Sequence, residues 1–269
     1  MDKIQNKVAR LGLVANTFAA NEALRGEMGW SSYGERISRM KLNYKVKLMG
    51  MNDNSWAGYM YREYRNSEWH REIRKIERKY GLEDVYGGVN TKGNIKNNIL
   101  MKGQIEWERG VESKTTLNVY KNKREPGTEC FYKGDMASRL LFKARTGSLE
   151  VNGRIYRWNG TSDRCEWCVF GVKETVEHLI IECEGHERER MIFIEGLIEL
   201  VGLKKWNEIR RKEDHGISIA SGFECGDKIV DDNRLGIVDC MKSFLKGVWK
   251  KRECRNNHHI TLGYVHSRM

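Results

Sequence analysis

Four residues near the middle of the chain have the types and spacing of a metal site: Cys165, Cys168, His178 and Cys183, a C-x2-C-x9-H-x4-C pattern. Two cysteines three apart supply half of a tetrahedron from one tight turn. A histidine and a third cysteine on and just beyond a helical turn, expected over 174–181, supply the other half, with zinc as the matching ion. Binding would deprotonate the thiols and tie down a segment otherwise short of core. With protein side chains at all four positions, no place is left for a substrate or reactive water, so the spacing predicts a structural ion. Two bland readings stand beside this one. The Cys165–Cys168 pair could be a redox dithiol, although no strand–helix context of that type surrounds it, and His178 could be an ordinary polar residue before Leu179, Ile180 and Ile181. Cys130, Cys225, Cys240 and Cys254 are scattered and read as buried thiols. Cys254 with His258 and His259 is a further, adventitious metal possibility.

Other chemistry is sparse. Asp231-Asp232 follows Ile229-Val230 and Glu83-Asp84 and Glu213-Asp214 are similar pairs; all three read as solvated loop residues with no apolar frame to shift a pKa. There is no glycine-rich phosphate loop followed by lysine, and no Ser/His/Asp or Cys/His arrangement outside the Cys/His cluster. The chain is therefore expected to be no enzyme by itself.

The elements that must position the cluster read as helices. Ile4, Val8 and Leu11 fall at i, i+4 and i+7, and Ile37, Met40, Tyr44 and Leu48 continue the spacing with Arg and Lys between them. Trp69, Ile73, Ile76 and Tyr80 form a third stripe, with Ser67 as its expected N-cap and Gly81 at its C-cap position. Met191, Ile194, Leu197, Ile198 and Val201 form a fourth, and Val238, Met241, Phe244, Leu245, Val248 and Trp249 the last. A single proline in 269 residues leaves such helices uninterrupted. No segment alternates cleanly; residues 147–158 could form a short hairpin turning at Asn152-Gly153. Loops are expected over 83–103, 121–129 and 213–236. The expectation is thus a mainly α protein whose helices surround a small CCHC zinc-knuckle lobe. Its parts would be a helical region 1–82, a linker and helix 83–129, a zinc-knuckle region 130–200, and a C-terminal loop and helical tail 201–269.

Composition limits the partners. Lys plus Arg number 48 against 37 Asp plus Glu, a net charge of +11, and 8 Trp and 11 Tyr argue against disorder. A folded, basic chain suits a polyanion, with nucleic acid ahead of an anionic membrane. The longest mainly apolar run without charge, Leu11–Ala20, is about half of a membrane span, so no membrane partner is expected. The N-terminus is charged from Asp2 and carries no signal-peptide pattern. That points to the cell interior, nucleus or cytoplasm, where seven cysteines, an odd number, would be thiols or metal ligands.

One long stretch carries a resemblance. Gly134 to Leu149, with Arg145-Thr146-Gly147 inside it, then Cys165, Cys168, Glu174-Thr175-Val176-Glu177-His178-Leu179-Ile180-Ile181-Glu182-Cys183, Arg188 and Arg190, resembles the C-terminal region of non-LTR (LINE-type) retrotransposon reverse transcriptases. In that family an arginine–threonine–glycine segment precedes a CCHC zinc knuckle with an ET-x-x-HL core. Asn21 to Trp30 resembles the segment just downstream of the polymerase core, and Phe244 to Arg252 the closing helix, so the resemblance spans nearly the whole chain in the family's order. The family's Tyr/Phe-Xaa-Asp-Asp turn and endonuclease domain are missing from the chain.

The resemblance implies zinc-dependent binding of RNA or DNA without catalysis by this part alone, with the polymerase part of the same retroelement as a further expected partner. In knuckle-type recognition a ring stacks on an unpaired base while cations meet phosphates. The expected nucleic-acid face is therefore Trp167, Arg164, Lys173 and Arg157. Packing of Trp167 on the zinc lobe is the competing reading, as is a solvated helix face for the basic runs at 71–79, 121–124, 210–212 and 250–255. Two other functions remain open: a retroelement-derived protein-interaction domain with a purely structural zinc, and a fragment of an intact RNA-directed DNA polymerase whose catalytic core lies upstream.

Overall fold

A computed structural model describes residues 2–52, 54–86, 90–160, 162–209, 211, 218, 220–223 and 226–266, with side chains left out at 159 and 255–266. It is mainly helical, and among the described residues there is no strand, only two isolated antiparallel bridges, Met28–Thr128 and Arg164–Lys173. Among the described residues twelve α-helices have defined bounds: α1 (Asp2–Leu13), α2 (Asn21–Met28), α3 (Tyr33–Met49), α4 (Trp56–Glu63), α5 (Glu68–Tyr80), α6 (Thr91–Glu112), α7 (Met136–Arg145), α8 (Asn152–Asn159), α9 (Glu187–Val201), α10 (Leu203–Ile209), α11 (Lys228–Asp232) and α12 (Arg234–His266). None is long and apolar enough to cross a membrane.

The chain forms two compact units, each assembled from separated stretches: residues 1–8, 25–110 and 125–128 in one, residues 9–24, 111–124 and 129–269 in the other. The four sequence regions expected above are consecutive, whereas the first unit collects pieces of two of them and the second pieces of all four.

In the first unit α3, α5 and α6 share a core of Leu42, Ile73, Tyr80, Leu82, Ile95 and Ile99. The helix over 68–80 begins and ends as its sequence predicts. The Ser67 hydroxyl accepts from the His70 backbone N–H, and Gly81 takes the left-handed conformation (φ 62°) that lets its own N–H close the last turn. Ser32 and Glu35 make a reciprocal capping box at the start of α3. Residues 91–103, expected to be loop because of their Gly, Asn and Lys, are the first half of α6. The apolar residues Ile95, Ile99, Trp107 and Val111 are spaced in multiples of four and are buried, and this one-sided line outweighs the weak helix formers between them. Gly103 has a reason of its own: a Cβ there would lie 2.8 Å from the Glu35 carboxylate of α3.

The second unit has the larger core. Leu140, Leu141 and Ala144 of α7, Phe193, Leu197 and Val201 of α9, and Val238, Met241, Phe244, Leu245 and Val248 of α12 interlock, joined by Val176, Leu179 and Ile180 from the Cys/His segment. The last apolar stripe therefore packs as read, with Trp249 half-buried at its edge. Arg145, in the last turn of α7, is wholly buried; it donates to the Ser221 carbonyl (2.7 Å), pairs with Glu129 and lies over the rings of Phe223 and Phe131. Burial works against the charge of Glu129, but Arg145, Lys123 and Arg234 together outweigh it and hold this carboxyl below the usual range. Gly147 follows at φ +59°, where a Cβ would strike the Thr116 carbonyl at 2.1 Å. The Arg-Thr-Gly segment is thus a packing element.

Several expectations are corrected. The segment 147–158 is no hairpin: Asn152-Gly153 opens α8, because the buried Glu174 carboxylate accepts the Asn152 N–H (2.6 Å) and Gly153 leaves room for the Glu174 carbonyl. In α1 the helix is right but the face is wrong. Ile4, Val8 and Leu11 are exposed, while Gln5, Ala9 and Leu13 point inward, Gln5 being held by the Ser31 carbonyl and Arg36. Met40 and Tyr44 of α3 are exposed as well. Met191 is exposed because α9 turns Phe193 inward. Asp231 and Asp232 close helix α11 instead of lying in a loop, and α12 begins at Arg234. Cys130 and Cys254 are exposed and Cys240 half-buried. Cys130 is turned out because its neighbours Glu129 and Phe131 both point inward. Cys225 and the side chains of His258 and His259 lie outside the described residues, as do Arg210 and Lys212 of one basic run.

Candidate metal centre and its surroundings

Cys165 and Cys168 lie on a turn that leaves the Arg164–Lys173 bridge, where the Cys165 N–H donates to the Val172 carbonyl (2.7 Å). His178 lies in a single π-helical turn, His178–Glu182, whose wider winding is common at functional sites. That turn seats Leu179 and Ile180 in the core while His178, itself only 4% exposed, faces the cysteines. Cys183 follows as the chain leaves the turn, with its N–H on the His178 carbonyl (2.8 Å).

The four ligand atoms lie within 4.8 Å of one another and could hold a metal ion. Cys165 Sγ and Cys183 Sγ are 3.6 Å apart, as are Cys168 Sγ and His178 Nε2. A tetrahedron with metal–sulfur bonds of about 2.3 Å and metal–nitrogen bonds of about 2.0 Å has edges of roughly 3.5–3.8 Å. Two opposite edges therefore have a coordination-site length already, and an ion would draw the two pairs toward each other. The surroundings fit the same use. Glu182 lies 3.2 Å from His178 Nδ1, an arrangement that turns Nε2 toward the thiols, and the Trp167 N–H points at Cys165 Sγ (3.4 Å). Burial pushes the Cys165 and Cys183 thiols up, so two thiolates here need a cation beside them.

Sequence reasoning missed what holds this segment against the helices. Glu174, 1% exposed, receives both guanidinium nitrogens of Arg252 on α12 (2.5 and 3.1 Å) as well as the start of α8. Arg190 of α9 donates to the Ile180 carbonyl (2.9 Å) and to that of Cys183. His186 is fully buried under Trp167. Burial, with Lys251 and Arg252 near by, drives its imidazole down to about 4, so it is neutral. The advance signal for Glu174 is its place at the head of the Glu174-Thr175-Val176-Glu177-His178-Leu179 stretch, which says nothing of its partner Arg252.

The four residues expected to face nucleic acid divide. Trp167 is half-buried against His186 (ring centroids 5.2 Å), with Lys251 Nζ 5.9 Å from its ring centre, and a Cβ on Gly185 would strike its carbonyl. Arg164 is exposed but bends back to the Gly171 carbonyl (2.5 Å). Arg157 and Lys173 are exposed and flank Tyr156, at 5.6 and 6.0 Å from its ring centre. Of the basic runs, 71–79 lies on α5 with Lys79 near Glu106 and with Glu72 and Glu77 taken by Lys41 and Lys45. Lys121 and Lys123 pair with Glu112 and Glu129, and Lys251 and Arg252 serve the segment just described. No family model, curated protein or solved structure matches the chain.

Proposed function

We propose that the chain is a metal-stapled nucleic-acid-binding region, of the kind that ends LINE-type retrotransposon reverse transcriptases, holding RNA or DNA without catalysis of its own. The metal is zinc, bound as a CCHC knuckle by Cys165, Cys168, His178 and Cys183. The convergence of these four ligand atoms carries the reading. The net charge of +11 and the exposed Arg157 and Lys173 at the edge of the same segment supply the attraction for phosphates. Three soft thiolates and one imidazole favour zinc over the harder cations, and the full protein ligand set makes the ion a staple. If a Tyr/Phe-Xaa-Asp-Asp turn is encoded upstream of Met1, this region serves a polymerase; if not, it binds alone.

Fluorescence anisotropy with a labelled single-stranded RNA, over a salt series and before and after zinc chelation, tests the reading. Submicromolar binding that falls steeply with salt and collapses on chelation is expected. Absence of binding at low salt overturns it. A second reading, a protein-interaction domain with structural zinc, is favoured by the exposed Met40 and Tyr44 on α3, which with Ile37 line an open apolar groove. Salt-insensitive self-association with no RNA binding would select it.

A further inference from the structure

Beside the Cys/His segment lies a cavity of about 500 Å³ whose wall includes Phe18, Trp158, Arg157, Lys173 and the 115–119 turn. Phe18 and Trp158 lie side by side at its edge, centroids 6.1 Å apart and planes within 19°. They are 73% and 62% exposed. Two large rings stacked on each other in water are an unusual use of apolar surface, because neither is covered by the core. We propose that this ring pair is a base-stacking platform for single-stranded nucleic acid, with Arg157 and Lys173 gripping the adjoining phosphates. The proposal rests on the nucleic-acid reading above and moves the stacking ring from Trp167, which is packed on His186, to Trp158 and Phe18.

The platform is built. Trp158 is in the last turn of α8, whose first turn is fixed to Glu174 and through it to Arg252. Phe18 is held out by the connection between α1 and α2. There Arg10 donates to the Ala19 carbonyl (3.1 Å) and the Asn21 side chain (2.9 Å), and Val14 is kept at φ +49°, a strained value for a β-branched residue. The charge suits a phosphate chain. Besides Glu174, which Arg252 neutralises, the cavity wall carries Arg154, Arg157 and Lys173 against one acid, Glu177. Arg154 is bonded to the Gly147 carbonyl, which leaves Arg157 and Lys173 as the exposed cations. Every base has a π-face and each unpaired base brings a phosphate, so rings beside cations suit a single strand without regard to sequence.

The test uses the full, zinc-loaded chain with labelled 12-nucleotide oligouridine and oligodeoxythymidine, and an abasic strand of the same length. Trp158→Ala should weaken both base-carrying strands by about 5- to 100-fold, Phe18→Ala by less, and Trp158→Phe should restore most of the loss. Because both rings are exposed, zinc content and the thermal transition should stay at wild-type values. Arg157→Ala with Lys173→Ala should flatten the salt slope by about 1.4, two contacts at roughly 0.7 each for a single strand. A strand carrying 5-iodouracil should photo-crosslink to peptides holding Trp158 or Phe18. The proposal is overturned if Trp158→Ala binds like wild type, or if the abasic strand binds as tightly as the others, while wild-type binding stays salt-steep and zinc-dependent; the nucleic-acid reading then survives alone. Failure of every strand to bind wild type at low salt overturns both.

Discussion

The Cys/His segment and the helical core beneath it belong to one compact unit but are held by different physics. In the core, α7, α9 and α12 bury a continuous set of Leu, Phe, Val and Met side chains, so its order follows from apolar area removed from water. Residues 162–186 expose Val169, Phe170 and Val172 and contribute only a few apolar anchors, Val176, Leu179 and Ile180 among them. Their remaining supports are polar: four converging ligand atoms, the Glu174–Arg252 pair and the Arg190 bonds. A region with that balance depends on each support singly, whereas a packed core spreads its stability over many side chains.

Metal removal is the largest expected perturbation. Structural zinc sites bind with about 10–16 kcal/mol of apparent free energy, much of it folding energy. Chelation, Cys165→Ser or His178→Ala should therefore open residues 160–190 to proteases while α5 and its neighbours in the other unit stay protected. Unchanged cleavage in that window after verified metal loss would sink the zinc assignment and with it the contrast.

The opposite cut is Phe244→Ala. Phe244 is 3% exposed and packs on Phe193, with ring centroids 5.6 Å apart. The truncation should cost about 3–5 kcal/mol. Denaturant melts should show the loss as a lower midpoint for the whole unit, with zinc stoichiometry intact at low denaturant. Loss of zinc without a shift of the midpoint would mean that core and Cys/His segment are not separable as described.

How much of this contrast could be read from sequence differs by region. The last apolar stripe and the caps Ser67 and Gly81 were legible because they are local: each depends on residues within a turn or two. The Cys/His cluster was legible because metal spacing leaves few alternatives, and the structure brings its four donor atoms within 4.8 Å of one another, where they could hold an ion. The face of α1 was not, since Ile4, Val8 and Leu11 make as good a periodic stripe as the one that is buried, and the choice is made by Gln5 reaching Ser31 far along the chain. Nor was α8, whose Asn-Gly start reads as a turn signal and becomes a helix start here because the buried Glu174 carboxylate accepts the Asn152 N–H. Trp158 and Phe18 lie 140 residues apart and share no motif; only the fold puts their rings together.

Arg252→Met probes the joint between the two regions. Arg252 and Glu174 are almost wholly inside, and the Met side chain keeps the packing of the Arg stem while leaving a buried carboxylate without its charge partner. Breaking such a pair costs about 3–5 kcal/mol. The cost should fall on the Cys/His segment and α8 first, because Glu174 also receives the Asn152 N–H, and hydrogen exchange should quicken there before it does in α9. The double variant Glu174→Gln with Arg252→Met removes both charges and should recover part of the loss. Equal destabilisation in the single and double variants would show that the hydrogen bond to α8 outweighs the ion pair.

The smallest effect concerns Trp167, where the two readings of one ring give opposite signatures. Packed on His186, the ring supports the cluster from outside, and Trp167→Ala should cost about 1–3 kcal/mol given its half-buried state. The loss should appear as faster zinc release to a competing chelator, with nucleic-acid affinity unchanged while the ion stays bound. Were Trp167 a stacking ring, the signs would reverse: zinc release would be normal and affinity would drop. Measured beside Trp158→Ala, for which the expected signature is the second one, this variant separates a ring that holds the Cys/His segment together from a ring that uses it as a platform.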